Sequence, residues 1–394
     1  MKRYDVVVAG GGASGLSAAI SAASRGCRVL VMEMQAQIGG QGSPAWIGDS
    51  LWKRVPASVL ARVREVRLRS PGASAEVRGE LGVIIDRRIF DRGLAARAAE
   101  AGAEIWLSAP VRDLLVRDGR VAGVRSGVGN WSEEIAAEVV IDATGSSGEW
   151  SGVFMRKVAG REWSREELAF CGEYLVANFD AGGVELVFNP YLTPGGHAWV
   201  YPCGRGMAAV GVQGIRINPE LALDEFIGKD QVEGLRKSMP VAAFRSRFPL
   251  GGPPERTYAA GIVVAGGAAG QIYQLSPKGL SQAVRAGEIA GEVAAGAISE
   301  GNVSEESMAG YEERWRREIH NDIQIGSELR KSLGTFQGRK MDALLSRAGE
   351  SQSVRRALVN IFLCRDLRRS VRAILNDPRA SGVLGGESLE RLLS

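Results

Sequence analysis

Residues 4–33 open with Tyr4-Asp5-Val6-Val7-Val8-Ala9-Gly10-Gly11-Gly12-Ala13-Ser14-Gly15-Leu16 and close with Val29-Leu30-Val31-Met32-Glu33. Tyr4 to Ala9 is a short Val-rich run of the kind that forms a buried strand. A glycine turn follows, and then Leu16, Ala19, Ile20 and Ala23 recur at helical spacing. After Arg25-Gly26, Val29 to Met32 makes a second apolar strand. Strand, turn, helix and strand in this order are the βαβ unit of a parallel sheet. Gly10-Xaa-Gly12-Xaa-Xaa-Gly15 is a weak signal alone. Here it follows a strand, opens a helix and is answered by Glu33 at the end of the next strand, which makes it a nucleotide-binding signature. Glycine permits the tight turn and the close approach of a pyrophosphate, helix N-terminal amides bind the anion, and Glu33 accepts hydrogen bonds from a ribose diol. The uncharged run from Val6 to Ser24 imitates a membrane span, and Lys2-Arg3 before it imitates the start of a secretory signal. The glycines, Ser14, Ser17, Ser21 and Ser24 inside the run, and Asp5 before it, argue against both.

Outward from this unit, Gly39-Gly40-Gln41-Gly42-Ser43-Pro44 predicts a loop. Phe90, Leu94, Ala95, Ala98 and Ala99 predict a helix over 90–101, and Glu104 to Leu107 a strand. Val111 to Val116 and Val121 to Val124, joined by Asp118-Gly119, predict a hairpin, and Val139 to Ala143 a further buried strand. From about Gly152 to Pro254 the texture changes. Glu173 to Asn178, Val184 to Phe188 and Ala198 to Pro202 are short alternating stretches separated by Gly and Pro, which predicts a mainly antiparallel sheet inserted in the nucleotide-binding domain. Ile262 to Ala265 returns to a buried parallel strand, followed by Gly266-Gly267 and, after Pro277, by a helix with Ala283, Ala286, Ala290 and Ala294 that runs to about Ile298. Helical patterns dominate from Ser304 onward. The expected fold is α/β: a Rossmann-like nucleotide-binding domain at 1–151 and 255–300, an inserted antiparallel substrate-binding sheet at 152–254, and a helical region at 301–394.

The 394 residues are 45% hydrophobic and 24% charged, which excludes disordered and fibrous classes. A net charge of +4 over this length gives no reason to expect a nucleic-acid partner. Cys27, Cys171, Cys203 and Cys364 lie far apart without CxxC spacing, and His197 and His320 are the only histidines. A reduced, cytoplasmic, metal-free protein is expected.

A simple nicotinamide dehydrogenase would continue in βα units after the second strand. This chain instead enters a loop, a hairpin and an inserted sheet before a late parallel strand closes the domain, and FAD fits that order better. The residues then become familiar. Tyr4 to Gly12, Asp86-Arg87-Arg88-Ile89-Phe90-Asp91, Pro194-Gly195-Gly196-His197-Ala198-Trp199-Val200-Tyr201-Pro202 and Gly266-Gly267-Ala268-Ala269-Gly270 together resemble the geranylgeranyl reductase family. Those flavoproteins have the para-hydroxybenzoate hydroxylase-like fold and saturate double bonds of isoprenoid chains. The resemblance runs in order from Tyr4 to about Ile298 and again around Tyr311 to Ile319. It implies FAD as cofactor, with Gly10, Gly12, Ser14, Gly15 and Glu33 at the ADP half, Arg87 in contact with the cofactor, Val111 near the adenine, and the amides of Gly279 and Leu280 facing the flavin ring. Arg87 as a surface charge and Gly279 as a plain helix cap are the alternative readings. The segment around Trp199 lines the isoprenoid cavity in the reductases.

Three departures stand out. Gly267 replaces an aspartate that binds the ribityl chain. Gly42-Ser43-Pro44-Ala45-Trp46 stands where many reductases carry a cysteine, so no thiol acid is available there. Tyr273 to Lys278 replaces a proline- and glycine-rich turn and is expected to put an aromatic and a charge beside the flavin. Ile141-Asp142-Ala143-Thr144-Gly145 also resembles a broader group of FAD-dependent oxidoreductases with diverse substrates.

Hydride delivery to an unactivated alkene requires an acid opposite the flavin. The candidates are His197, Tyr201, Cys203 and Lys278; an ordinary strand position is the alternative for His197, and a solvent-facing one for Lys278. Trp46 and Trp199 are candidate substrate walls able to stabilise a cation, or plain core residues. From Lys331 to Ala380 eleven Lys and Arg face four acids. Leu358, Ile361, Phe362, Val371, Ile374 and Leu375 interleave with Arg365, Arg368, Arg369 and Arg372 in the manner of a basic amphipathic helix, which is either a membrane-peripheral element or a solvated face. The expected activity is hydride transfer from flavin N5 to an isoprenoid double bond of a prenylated lipid, with NADPH or ferredoxin as electron donor. The alternatives are a flavin monooxygenase or dehydrogenase acting on another small molecule, and a flavin-binding protein without catalysis.

Overall fold

The computed structural model describes residues 1–40, 42–128, 131–276, 279–333, 338–384 and 386–393. Strand β1 (Lys2–Ala9), helix α1 (Ala13–Ala23) and strand β2 (Val29–Met32) form the expected crossover, with β1 and β2 parallel at Val6↔Val29. Alternation along β1 sends Val6 and Val8 into the core beneath α1, and Val7 and Ala9 into the core on the opposite face. A strand buried on both faces needs this continuous apolar run. The eight-stranded sheet continues on one side of β1 to Trp131–Asp142, Ile262–Val264 and Tyr258–Ala259, and beyond β2 to Glu104–Trp106. The predicted hairpin is present as Val111–Arg117 and Arg120–Val128, paired antiparallel onto Trp131–Asp142.

The second sheet has seven strands, in the order Met239–Pro249, Leu168–Ala177, Met207–Ile215, His197–Gly204, Val184–Val187, Glu65–Arg69 and Ser74–Arg78. Its last two strands come from well before the inserted segment, and Val184–Val187 meets Glu65–Arg69 in parallel. In those strands Val66, Leu68, Ala75 and Val77 point into the core, while Glu65, Arg67, Arg69, Glu76 and Arg78 carry a ladder of ion pairs on the other face, with Glu185 joining from the neighbouring strand. A small sheet of Ala45–Ile47, Val83–Ile85 and Val59–Arg62 is made of strands that flank Glu65–Arg69 and Ser74–Arg78 in sequence.

The stretch 358–375 differs from the single amphipathic helix expected. It is two helices, Gln352–Phe362 and Leu367–Leu375, broken where Cys364 and Asp366 take φ of +53° and +47°. Leu358, Ile361, Phe362, Val371 and Ile374 are buried in the core they share with the seven-stranded sheet. The apolar side is therefore spent on the protein's own interior, and Arg368, Arg369 and Arg372 face outward together with Asp366. Among the described residues no helix is long and apolar enough to cross a membrane.

The late small-residue helix, Leu280–Ser299, crosses α1 almost backbone to backbone. A Cβ on Gly287 would lie 2.0 Å from the Ser14 carbonyl oxygen, and one on Gly291 2.3 Å from that of Ala18. Gly287→Val is therefore expected to destabilise the protein by roughly 1–3 kcal/mol through overpacking. Gly296→Ala on the same helix, where a Cβ meets nothing within 4 Å, is expected to stabilise it by about 0.5–1 kcal/mol. Calorimetric Tm values moving in opposite directions would bear this out, and a Tm that Gly287→Val leaves unchanged would contradict it.

Candidate active site

Ligands of open parallel sheets bind beyond the carboxyl ends of the strands. A cavity of about 440 Å3 lies there, between the loops after β1, β2, Trp131–Asp142 and Ile262–Val264 and residues of the seven-stranded sheet. Gly10 has φ +105°, and a Cβ on it would lie 2.4 Å from the Ala143 carbonyl oxygen. A Cβ on Gly12 meets nothing within 4 Å, so its missing side chain leaves an open cradle at the N-terminus of α1. Ser14 lines the cavity in the first turn, buried, and its Oγ has no hydrogen-bond partner among the described residues. Glu33 is held by the Gly11 N–H, which donates to Oε2 at 2.8 Å, and by the Gln35 N–H, which donates to Oε1 at 2.9 Å.

Val111 lines the same cavity at the start of its strand. Arg87 lines it too, in the first turn of the helix Arg87–Glu100 that Asp86 caps through the Arg88 and Ile89 amides. Its guanidinium pairs with Asp91 one turn on, at 3.1 Å. Burial pushes the Asp91 carboxyl above the ordinary carboxylate range, and Arg87 pulls it back down. Gly279 and Leu280 open Leu280–Ser299 onto the cavity, so two helix N-termini converge there. An open glycine cradle, an unsatisfied hydroxyl at a helix start and a ribose-accepting carboxylate fit the diphosphate and ribose of FAD. Gly267 also lines the cavity, and a Cβ there would have no neighbour nearer than 3.5 Å.

Residues of the seven-stranded sheet carry Trp199 and Tyr201, whose rings stack at 5.9 Å, and Trp46 approaches Tyr201 at 6.3 Å. All three line the cavity together with Ser43 and Pro44. His197 is not among the lining residues. It is 1% exposed, its Nδ1 lies 3.1 Å from Gln213 Nε2, and its ring packs against Phe188, Trp199 and Phe362. Cys203 does not line the cavity either; burial pushes its thiol up to about 12. Tyr273 turns away from the cavity into the core, where it packs over Gly326. Lys278 lies outside the described residues.

One cavity residue has no signal in composition or motif. Glu173 is 2% exposed, accepts a hydrogen bond from Trp199 Nε1 at 2.8 Å through Oε2, and leaves Oε1 without a partner among the described residues. Desolvation pushes its carboxyl up to about 8, while Trp199 and Ser43 pull the other way. Burial thus favours its neutral, protonated form. Only the strand register, which brings Glu173 onto the same row as Trp199, reveals it.

Fold and cradle define an FAD-dependent oxidoreductase, and the model of the FAD dependent oxidoreductase family matches residues 5–207. Digeranylgeranylglycerophospholipid reductase 1 of Methanopyrus kandleri is 34% identical over 359 residues, covering 87% of this chain and 94% of that protein. Digeranylgeranylglycerophospholipid reductase 2 of Methanothermobacter thermautotrophicus is 33% identical over 362 residues, covering 87% and 91%. The chain belongs to the geranylgeranyl reductase family of FAD-dependent oxidoreductases. In fold it matches the crystal structure of a geranylgeranyl bacteriochlorophyll reductase-like protein from Thermoplasma acidophilum, with a TM-score of 0.86, 24% identity and 100% of both chains covered.

Gly12 has φ −84°, a conformation open to any residue. Gly12→Asp is therefore expected to fold normally while placing a carboxylate in the cradle, where like-charge contact costs several kcal/mol. The measurement is FAD titration followed by flavin fluorescence: a Kd raised at least about 100-fold with unchanged Tm of the apoprotein is expected. Binding at the wild-type Kd would remove the cradle from the FAD site.

Proposed function

We propose that the protein reduces carbon–carbon double bonds of an isoprenoid chain borne by a lipid. The observation that carries this reading is the continuity of one cavity from the glycine cradle to the aromatic wall of Trp46, Trp199 and Tyr201. Relatives sharing about a third of its residues over most of the chain are named as digeranylgeranylglycerophospholipid reductases, which supports the same substrate class here. FAD, when bound and reduced, supplies hydride.

The chain's own part is positional. Gly10, Gly12 and Ser14 would hold the diphosphate, with Gly15 letting α1 close onto the Gly10 carbonyl; Glu33 would hold the ribose, Val111 would lie by the adenine, and Arg87 would contact the cofactor. Gly279 and Leu280 direct amides of a helix start toward the ring, where they favour the negative charge of its reduced form. Trp46, Trp199 and Tyr201 clasp the isoprenoid chain, exclude water, and turn π faces toward carbon that becomes electron-poor as hydride approaches.

The two electrons come from NADPH or a ferredoxin that docks transiently, a reading supported by the single nucleotide cradle among the described residues. The substrate is collected from a bilayer surface. Arg356, Arg368, Arg369 and Arg372 are exposed on the two helices whose apolar sides are buried, and exposed arginines suit an anionic headgroup layer.

Protein reduced with dithionite and mixed anaerobically with a geranylgeranylated phospholipid is expected to reoxidise in step with gain of hydrogen by the lipid, read by flavin absorbance and mass spectrometry. Reoxidation only when oxygen and an aromatic compound are added would replace this reading with monooxygenation.

A further inference from the structure

We propose that Glu173 is the proton donor of this site: its carboxylic acid protonates the alkene carbon adjacent to the one that receives hydride, and Trp199 holds it in position. The assignment rests on the reductase reading above. Its basis is a row of three residues at one register on adjacent strands, Trp199 opposite Gly211 and Gly211 opposite Glu173. A Cβ on Gly211 would lie 2.2 Å from Trp199 Cζ2, so the indole lies flat over the middle strand and reaches the far one. There its Nε1–H donates to Glu173 Oε2. One carboxyl oxygen is thereby fixed, and the other, Oε1, has no partner among the described residues, in a side chain that lines the cavity.

The other titratable groups around Glu173 are poorer acids. Burial pushes the Cys171 thiol, two residues away on the same strand, up to about 12, and pushes the Tyr201 phenol well above its ordinary range. Cys203 is likewise pushed up to about 12, and Arg245, which also lines the cavity, pairs with Glu220. Burial favours the protonated form of Glu173, and a carboxyl is intrinsically a stronger acid than the thiols and phenol beside it, as a general acid here should be. The step balances. The Glu173 O–H bond breaks as a C–H bond forms, hydride from reduced FAD supplies the other hydrogen and both electrons, FAD is left oxidised, and the carboxylate recovers its proton from water.

Glu173→Gln keeps the acceptor for Trp199 and removes the acid. In holoenzyme reduced with dithionite and mixed with a geranylgeranylated phospholipid, it is expected to slow reoxidation at least about 100-fold, with FAD content and lipid Kd unchanged. Wild-type protein is expected to lose rate above about pH 8, and Trp199→Phe to move that limb to higher pH, since the indole N–H favours the ionised form. Independently of turnover, infrared spectra of wild-type holoenzyme at neutral pH are expected to contain a buried carboxylic-acid carbonyl band that Glu173→Gln lacks. A variant that keeps pace with an active wild type, a lost rate traced to lipid Kd, or an ionised Glu173 at neutral pH each overturns the donor role alone. A wild type that no prenyl lipid reoxidises overturns the proposed function and the donor role with it.

Discussion

The backbone crossing of α1 with Leu280–Ser299 is the constraint on which the site depends. Side chains between the two helices would hold them about 8–10 Å apart at their axes, whereas Gly287 and Gly291 let carbonyl oxygens of α1 enter the space a Cβ would fill. The contact falls on Ser14 and Ala18 at the start of α1, and Gly12 and Gly279 open onto one cavity. The positive ends of two helix dipoles thus face a single cavity. The residues between α1 and the late helix supply what lies between those poles: the Val111 strand, the Asp142-Ala143-Thr144 turn and the inserted sheet.

The nucleotide half of this arrangement is legible in the chain because its determinants are local. Gly10, Gly12 and Gly15 are set by a turn, Glu33 by the end of the next strand, and the alternation of Val6, Val7 and Val8 by burial on both faces. Each can be read from a window of a few residues. Fold class, cofactor cradle and the small-residue helix follow from them.

The aromatic half of the cavity is not local. Glu173 is an ordinary strand glutamate until Leu168–Ala177 is laid against Met207–Ile215 and that against His197–Gly204, when Gly211 turns out to be the gap that admits the Trp199 ring. His197 looks like the natural acid in sequence because its type titrates near neutrality, yet register sends its ring to Gln213 and the Phe188–Phe362 layer. The same long range hides the membership of Glu65–Arg69 and Ser74–Arg78 in the second sheet, whose charged alternation resembles a surface ribbon until Val184–Val187 is beside it. The basic helices carry a related lesson: amphipathic pattern tells that an apolar side must be covered, and in this chain the seven-stranded sheet covers it.

That borrowed edge also bears on how the polypeptide is made. Arg67 emerges from the ribosome 118 residues before Glu185, its ion-pair partner on the adjoining strand. During that interval the hairpin has an open rim, and its rungs of Arg and Glu are the kind of charge that discourages neighbouring chains from pairing with it. The chamber lined by Trp199 and Tyr201 consequently cannot close until translation has passed Val184–Val187, and the late helix Leu280–Ser299 that completes the cradle is made later still.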